Sequence, residues 1–230
     1  MAKYEFLLLD ADETLFDFQR CEREALCDAL RAAGIEPNEE MIATYSRIND
    51  GYWKMLERGE IEKSALRTAR FEAFCRHYGF DTDVPRLALG YTDALSTKGY
   101  LIPGALEVCR TLAEHCQLYI VTNGIAGVQH GRFEPSPLRK FIKELFISEE
   151  IGAEKPQKAY FDAVAARIPS FDAKKALIVG DSLSSDIRGG VNAGLDTCWF
   201  NPRGKAAPTD LTITYTIGTL EELIPVVLGD

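Results

Sequence analysis

Two aspartates one residue apart close an apolar run near the start of the chain. Tyr4–Asp10 reads YEFLLLD, and Asp12 follows after Ala11. A run of this kind predicts a buried strand, and two carboxylates at its end share one mouth. Such a pair can divide labour. One stays ionised as nucleophile and metal ligand; the other, with a raised pKa, gives and then takes a proton. Alone, Asp-x-Asp is also what a solvated loop with capping acids looks like.

Three further groups stand at comparable places. Thr122-Asn123-Gly124 follows the apolar run Leu118–Thr122 and offers a hydroxyl, an amide and open backbone to anionic oxygens. By itself the triplet is a turn signal. Lys155-Pro156 brings a point positive charge suited to phosphate or to crowded carboxylates, with the proline expected in the first turn of a helix over 158–168. Alone it would be a surface lysine. Gly180-Asp181 ends the run Ala176–Gly180, and Asp186 comes five residues later. Asp10 and Asp181 are hard oxygen ligands that suit Mg2+, which takes few carboxylates and keeps positions for water and substrate phosphate. The plain reading of Asp186 is a helix N-terminal charge.

Strand ends must carry these groups. Continuous apolar runs at Tyr4–Asp10, Leu118–Thr122, Leu145–Ser148, Ala176–Gly180 and Thr197–Phe200, with a weaker one at Ile213–Ile217, predict strands covered on both faces. Helical spacing over Gly104–His115 and Lys158–Ile168 alternates with them, so the core is α/β, a Rossmann-like parallel sheet. Ligands of such sheets bind beyond the carboxyl ends of the strands.

The stretch 17–96 breaks the alternation. It carries no strand-like run and four helical patterns: one from Phe18 stopped by Gly34, one opened by Pro37-Asn38, one over Glu60–Tyr78 and one from Pro85. Residues 1–16 and 97–230 are therefore expected to form the core, with 17–96 as a helical cap inserted after the first strand and able to act as a lid. Pro103-Gly104 marks the return to the core, and Asn201–Asp210 reads as a loop.

Composition narrows the partners. In 230 residues, 26 basic against 35 acidic side chains give a formal charge of −9, which repels a nucleic-acid polymer at long range. No apolar run approaches the roughly 20 residues that span a bilayer, and the first residues do not read as a signal peptide. A cytoplasmic location with no membrane partner is the expectation. Six cysteines without paired spacing are expected to be reduced and mostly buried, and three scattered histidines offer no zinc site.

Taken in order, DxDxT, TN, KP and GDxxxxD resemble the motifs of the haloacid dehalogenase (HAD) superfamily of aspartate-nucleophile phosphohydrolases, and the resemblance covers the whole chain, cap included. It implies that Asp10 is the nucleophile forming an aspartyl-phosphate and that Asp12 is the acid, then the base. It implies Mg2+ held by Asp10, the Asp12 carbonyl and Asp181, with Asp186 orienting waters. Thr122, the Asn123 backbone and Lys155 would grip the phosphoryl oxygens. Members that dehalogenate 2-haloacids lack an acid at the position of Asp12, so phosphate chemistry is favoured; phosphomutases share that acid. The residue after Asp12 is more often Asp or Gly; here it is Glu13.

The wording around these motifs, with TNG, Ile147–Pro156 and Cys198-Trp199, resembles the subgroup of bacterial pyrimidine 5′-nucleotidases acting on UMP, dUMP, dTMP and non-standard nucleotides. The expected partner is thus a small phosphorylated metabolite, a nucleoside monophosphate first, with phosphosugar phosphatase or phosphomutase as the alternative and a non-enzymatic phospho-ligand module behind both. In such folds the cap chooses the substrate. Asn49, Trp53, Arg70 and Phe71 are the cap residues that could meet a base or sugar, against the plainer reading that aromatics at helical spacing are core. Oligomeric state is not legible.

Overall fold

The structure is a computed structural model that describes residues 2–229. Six strands form one parallel sheet: β1 Phe6–Leu9, β2 Gln117–Thr122, β3 Ile142–Ile147, β4 Ala176–Gly180, β5 Asp196–Phe200 and β6 Tyr215–Ile217, in the order β3-β2-β1-β4-β5-β6. Ten α-helices among the described residues accompany them: α1 Phe18–Ala32, α2 Glu39–Glu57, α3 Lys63–Tyr78, α4 Val84–Ser96, α5 Ala105–Leu112, α6 Ala126–Phe133, α7 Ser148–Ile151, α8 Lys158–Arg167, α9 Arg188–Ala193 and α10 Leu223–Leu228.

The continuous apolar runs are explained by two cores. Leu7, Leu9, Leu118, Ile120, Leu177 and Val179 point to the face covered by α5 and α10. Their alternate neighbours Phe6, Leu8, Tyr119, Val121, Ala176 and Ile178 point to the other, where Tyr160, Phe161 and Val164 of α8 pack. A strand with both faces dry has no polar positions to spare. The edge strand β3 departs from this. It begins at Ile142, three residues before the expected run, because Lys143 and Glu144 remain exposed at the rim of the sheet. The other edge strand, β6, is shorter than expected and starts at Tyr215.

Two compact units divide the chain. Residues up to Asp17 together with those from Tyr100 onward form one, and Phe18–Gly99 form the other. The boundary lies slightly later than 16/17 and 96/97 because the two passes of chain are tied by backbone: Asp17 N donates to Tyr100 O at 2.9 Å, and Phe16 bridges Leu101.

Inside the helical unit, end signals set the helices. The Asn38 side chain accepts from Met41 N at 2.9 Å at the start of α2, and that of Asp83 accepts from Arg86 N at 3.0 Å at the start of α4, contacts worth about 0.5–2 kcal/mol each. Helix α3 begins at Lys63, not Glu60, because residues 58–60 close α2 through Gly59 in the left-handed region and Glu60 N bonded to Met55 O. Tyr45 anchors the interior of this unit, 4.9 Å from Phe71, 5.7 Å from Phe74 and 5.4 Å from Tyr91 between ring centres. All six cysteines are free, five buried and Cys27 half-buried. No helix among the described residues is long and apolar enough to cross a membrane.

Candidate active site

The chain leaves β1 towards β2 and β3 on one side and later returns to β4 on the other, so the sheet has its switch point at the carboxyl end of β1. Side chains of successive crossovers diverge there and leave a crevice. Asp10 stands at that point, with its N–H donated to Val179 O at 2.9 Å. Beyond it the chain turns sharply. Leu15 N and Phe16 N both reach back to Ala11 O, and Glu13 takes a φ of 60°. That left-handed conformation favours Gly, Asn and Asp, which explains why a glutamate is the uncommon choice there.

Lys155 enters from the segment before α8. Its Nζ donates to Asp10 Oδ1 at 2.6 Å, Asp186 Oδ1 at 2.7 Å and Val121 O at 2.8 Å, so all three ammonium donors are used by a side chain only 1% exposed. Asn123 fixes that segment. Its Oδ1 accepts from Lys155 N at 2.9 Å and its Nδ2 donates to Lys155 O at 2.8 Å. The Asn123 amide therefore aligns the lysine. Thr122 is buried beside it, its hydroxyl oxygen accepting from Gly124 N at 3.1 Å. Pro156 lies ahead of α8, not within its first turn: Gln157 caps the helix, which starts at Lys158.

Carboxylate oxygens of Asp10, Asp181 and Asp186 lie within 4.8 Å of one another. Asp181 is half-buried at the end of β4, its carbonyl held by the Trp199 indole N–H at 3.0 Å. Asp186 is buried in a wide helical turn over Leu183–Ile187 and accepts from Ser182 N at 3.1 Å on Oδ2. A Cβ on Gly180 would lie 2.2 Å from that oxygen, so the glycine before Asp181 is what admits Asp186. Burial, then the charge of Asp186, pushes Asp10 up to about 7 against the pull of Lys155. Burial, then Asp10, Asp186 and Glu13, pushes Asp181 up to about 8. Burial opposes the charge on Lys155, yet the two carboxylates outweigh it and raise its pKa.

Asp12 sits apart from this cluster. Its carboxylate is held by two residues of α6 that sequence reasoning missed: Gln129 Nε2 donates to Oδ2 at 2.9 Å, and Arg132 Nη2 is ion-paired with Oδ1. Helix α6, AGVQHGRF, has two glycines and no clear apolar stripe, so periodicity does not mark it. The available signal was a polar pair three residues apart, one helical turn, just after Thr122-Asn123-Gly124.

The four cap candidates lie in the helical unit, three of them in its interior. Asn49 donates to Glu22 Oε1 and accepts from Arg70 Nη1, both at 2.7 Å. The Arg70 guanidinium lies over the rings of Phe71 (5.4 Å) and Tyr91 (5.1 Å). Asn49, Arg70 and Phe71 thus form part of the packing of that unit. Trp53 is half-buried, with Lys63 Nζ 6.0 Å from its ring centre.

The arrangement can hold a divalent cation, present a carboxylate to an electrophile and supply a second carboxylate for proton transfer. The chain is similar to known proteins along nearly its whole length. The chain is 41% identical over 223 residues to the HAD-hydrolase YfnB of Bacillus subtilis (strain 168), covering 97% of this chain and 95% of that protein. A crystal structure of YfnB bound to magnesium, described as revealing interdomain movement, superposes with a TM-score of 0.92 over 97% of this chain and 98% of that one. The pyrimidine 5′-nucleotidase PynA of Streptococcus pneumoniae (strain ATCC BAA-255 / R6) is 36% identical, covering 96% and 94% of the two chains. The pyrimidine 5′-nucleotidase YjjG of Escherichia coli (strain K12) is 31% identical, covering 96% of each. The family model for haloacid dehalogenase-like hydrolases matches residues 4–194. Fold, clustered strand-end carboxylates and these matches agree: the chain belongs to the haloacid dehalogenase-like hydrolase family, and it is an enzyme.

Proposed function

We propose that this hydrolase is a Mg2+-dependent phosphatase that cleaves phosphate monoesters through Asp10, with pyrimidine nucleoside 5′-monophosphates as its substrate class. The observation that carries the reading is the set of three carboxylates around one lysine at the sheet's switch point. One ammonium cannot neutralise Asp10, Asp181 and Asp186; burial first, and the mutual repulsion of these carboxylates second, lift Asp10 and Asp181 above their ordinary range. Hard oxygen donors with an unmet positive requirement fit Mg2+. The side chains of Asp10 and Asp181 and the carbonyl of Asp12 would hold the ion, with Asp186 next to them. When bound it would supply neutralisation of the phosphoryl oxygens and of the carboxylates themselves.

The chain's own groups then divide the work. Lys155, aligned by Asn123, holds Asp10 towards the ester, and the hydroxyl of Thr122 and the Asn123 backbone receive the phosphoryl oxygens beside the Lys155 charge. In the first half-reaction a bond forms between the Asp10 carboxylate and phosphorus while the bond from phosphorus to the ester oxygen breaks. The leaving alkoxide takes a proton from Asp12. In the second, water gives a proton to Asp12 as its oxygen bonds to phosphorus, and the aspartyl-phosphate opens to inorganic phosphate and free Asp10. The pyrimidine nucleotide preference rests on the likeness to PynA and YjjG across nearly the whole chain.

The test is phosphate release from UMP, dTMP and a set of hexose phosphates, with Mg2+ and with EDTA. Turnover of the nucleotides, lost with EDTA and lost in Asp10→Asn with the fold intact, is the expected result. Faster release from hexose phosphates would move the substrate to the phosphosugars. Conversion of a sugar phosphate to its isomer would mark a mutase, and full activity in Asp10→Asn would remove the nucleophile.

A further inference from the structure

The geometry points to Arg132 and Gln129 as positioning residues that orient the carboxylate of Asp12 for proton transfer to the leaving group. This rests on the phosphatase reading above and adds to it two residues of α6. Both oxygens of Asp12 are engaged, Oδ2 by Gln129 Nε2 at 2.9 Å and Oδ1 by Arg132. The two partners also fix one another: Arg132 Nη2 and Nε donate to Gln129 Oε1 at 3.0 and 3.3 Å. Since the guanidinium can only donate, the amide must turn its oxygen to Arg132 and its N–H to Asp12. The Asp12 carboxylate plane is therefore determined from two directions.

Neither clamp residue has freedom to drift. Gln129 and Arg132 are each 1% exposed, and the guanidinium lies 4.9 Å from the ring centre of Phe16. Gly124 belongs to the same device. A Cβ there would fall 1.9 Å from Gln129 Nε2 and 2.8 Å from its Cδ. The end of a glutamine is movable on an open surface, but this one is pinned at both heads, so a side chain at position 124 would drive it off Asp12. The glycine after Thr122-Asn123 is thus required by the approach of the clamp. Each carboxylate oxygen has two lone pairs, and the clamp uses one on each. What remains on the outer side can carry the proton to the departing oxygen in the first half-reaction and receive one from water in the second.

A clamp that only props up the fold would weaken every reaction alike. A clamp that aims the acid matters most where the leaving oxygen needs a proton. The experiment is kcat/KM for Arg132→Lys, Gln129→Leu and Gly124→Ala across substituted phenyl phosphates and a nucleoside monophosphate, with thermal unfolding of each variant. A lysine keeps the charge but loses the fork. The expected result is a loss of about 10²-fold with the alkyl ester, within the span that general acid–base catalysis supplies. The loss should shrink to about tenfold or less for phenols that leave as stable anions, giving a steeper dependence on leaving-group basicity than in the wild type. An equal loss across the series in the variants that fold, or none, would overturn the assignment. Should Arg132→Lys fail to fold, Gln129→Leu and Gly124→Ala carry the same comparison with the buried guanidinium in place. A wild-type protein that releases no phosphate from any ester would overturn the phosphatase reading, and this inference with it.

Discussion

Of the three cationic side chains buried to the same degree among the described residues, Lys155 and Arg70 are answered in opposite ways. Lys155 in the α/β unit and Arg70 in the helical unit are each 1% exposed. Lys155 meets two carboxylates and a carbonyl directly, and a third carboxylate, Asp181, stands near, so its surroundings are over-neutralised. Arg70 reaches Glu22 only through the amide of Asn49, its Nε and Nη2 find no acceptor among the described residues, and two aromatic faces share its charge. A buried charge is tolerated once it is paired or faced by a ring quadrupole. Excess carboxylate does something else: it leaves a demand for positive charge that protons or a metal cation can meet.

The sharpest way to break the contrast is Lys155→Met. It leaves Asp10, Asp181 and Asp186 with no buried counter-charge, and removing one partner of a buried pair costs about 3–5 kcal/mol. Urea unfolding in metal-free buffer should show that loss, and phosphate release should vanish. Unchanged stability would mean the carboxylates simply take up protons.

Next comes pH. The carboxyls of Asp10 and Asp181 are raised in the metal-free fold to about 7 and about 8, so between about pH 4 and 8 the folded chain binds more protons than the unfolded one. Their contribution to stability is full below that window and is lost as pH rises through it. Mg2+ binding runs the other way, since the ion must displace those protons. Its affinity, followed by calorimetry, should rise by about tenfold per pH unit below pH 7 for each proton released. A flat profile would show that the cluster is already ionised.

Arg70→Met should be milder, about 1–3 kcal/mol by thermal or urea unfolding, because it takes the donor from Asn49 Oδ1 but also removes two unmet buried donors. A cost as large as that of Lys155→Met would erase the distinction between the two sites. Smallest is Trp53→Ala. If the helical unit chooses the substrate through this half-buried ring, KM for UMP should rise about fivefold with kcat little changed, the low end of base stacking. An unchanged KM would assign Trp53 to packing along with Phe71.

The same two regions differ in how openly the sequence displays them. Strands β1, β2 and β4 are apolar on both faces and are closed by polar residues, so Asp10, Thr122 and Asp181 announce their positions. The edge strands were less clear, because one side of an edge is wet and Lys143 and Glu144 can sit within β3. Asn49, Arg70 and Phe71 fall on helices where a polar or aromatic side chain is equally suited to a ligand or to a neighbour, and spacing does not separate the two. In the fold they contact each other and Glu22. Gln129 and Arg132 escaped notice altogether, since α6 lacks the stripe by which a helix is recognised.

By itself the sequence determined the alternating α/β architecture, the helical stretch within it and the acids and lysine at the strand ends, because burial on two faces leaves a periodicity that local reading detects. Tertiary structure alone decided which groups touch: Lys155 against Asp10 across 145 positions, and Arg132 against Asp12 across 120. Such pairings depend on crossovers bringing distant segments to one edge of the sheet, and on glycines 124 and 180 leaving room for them. Contact at that range leaves no period in the chain.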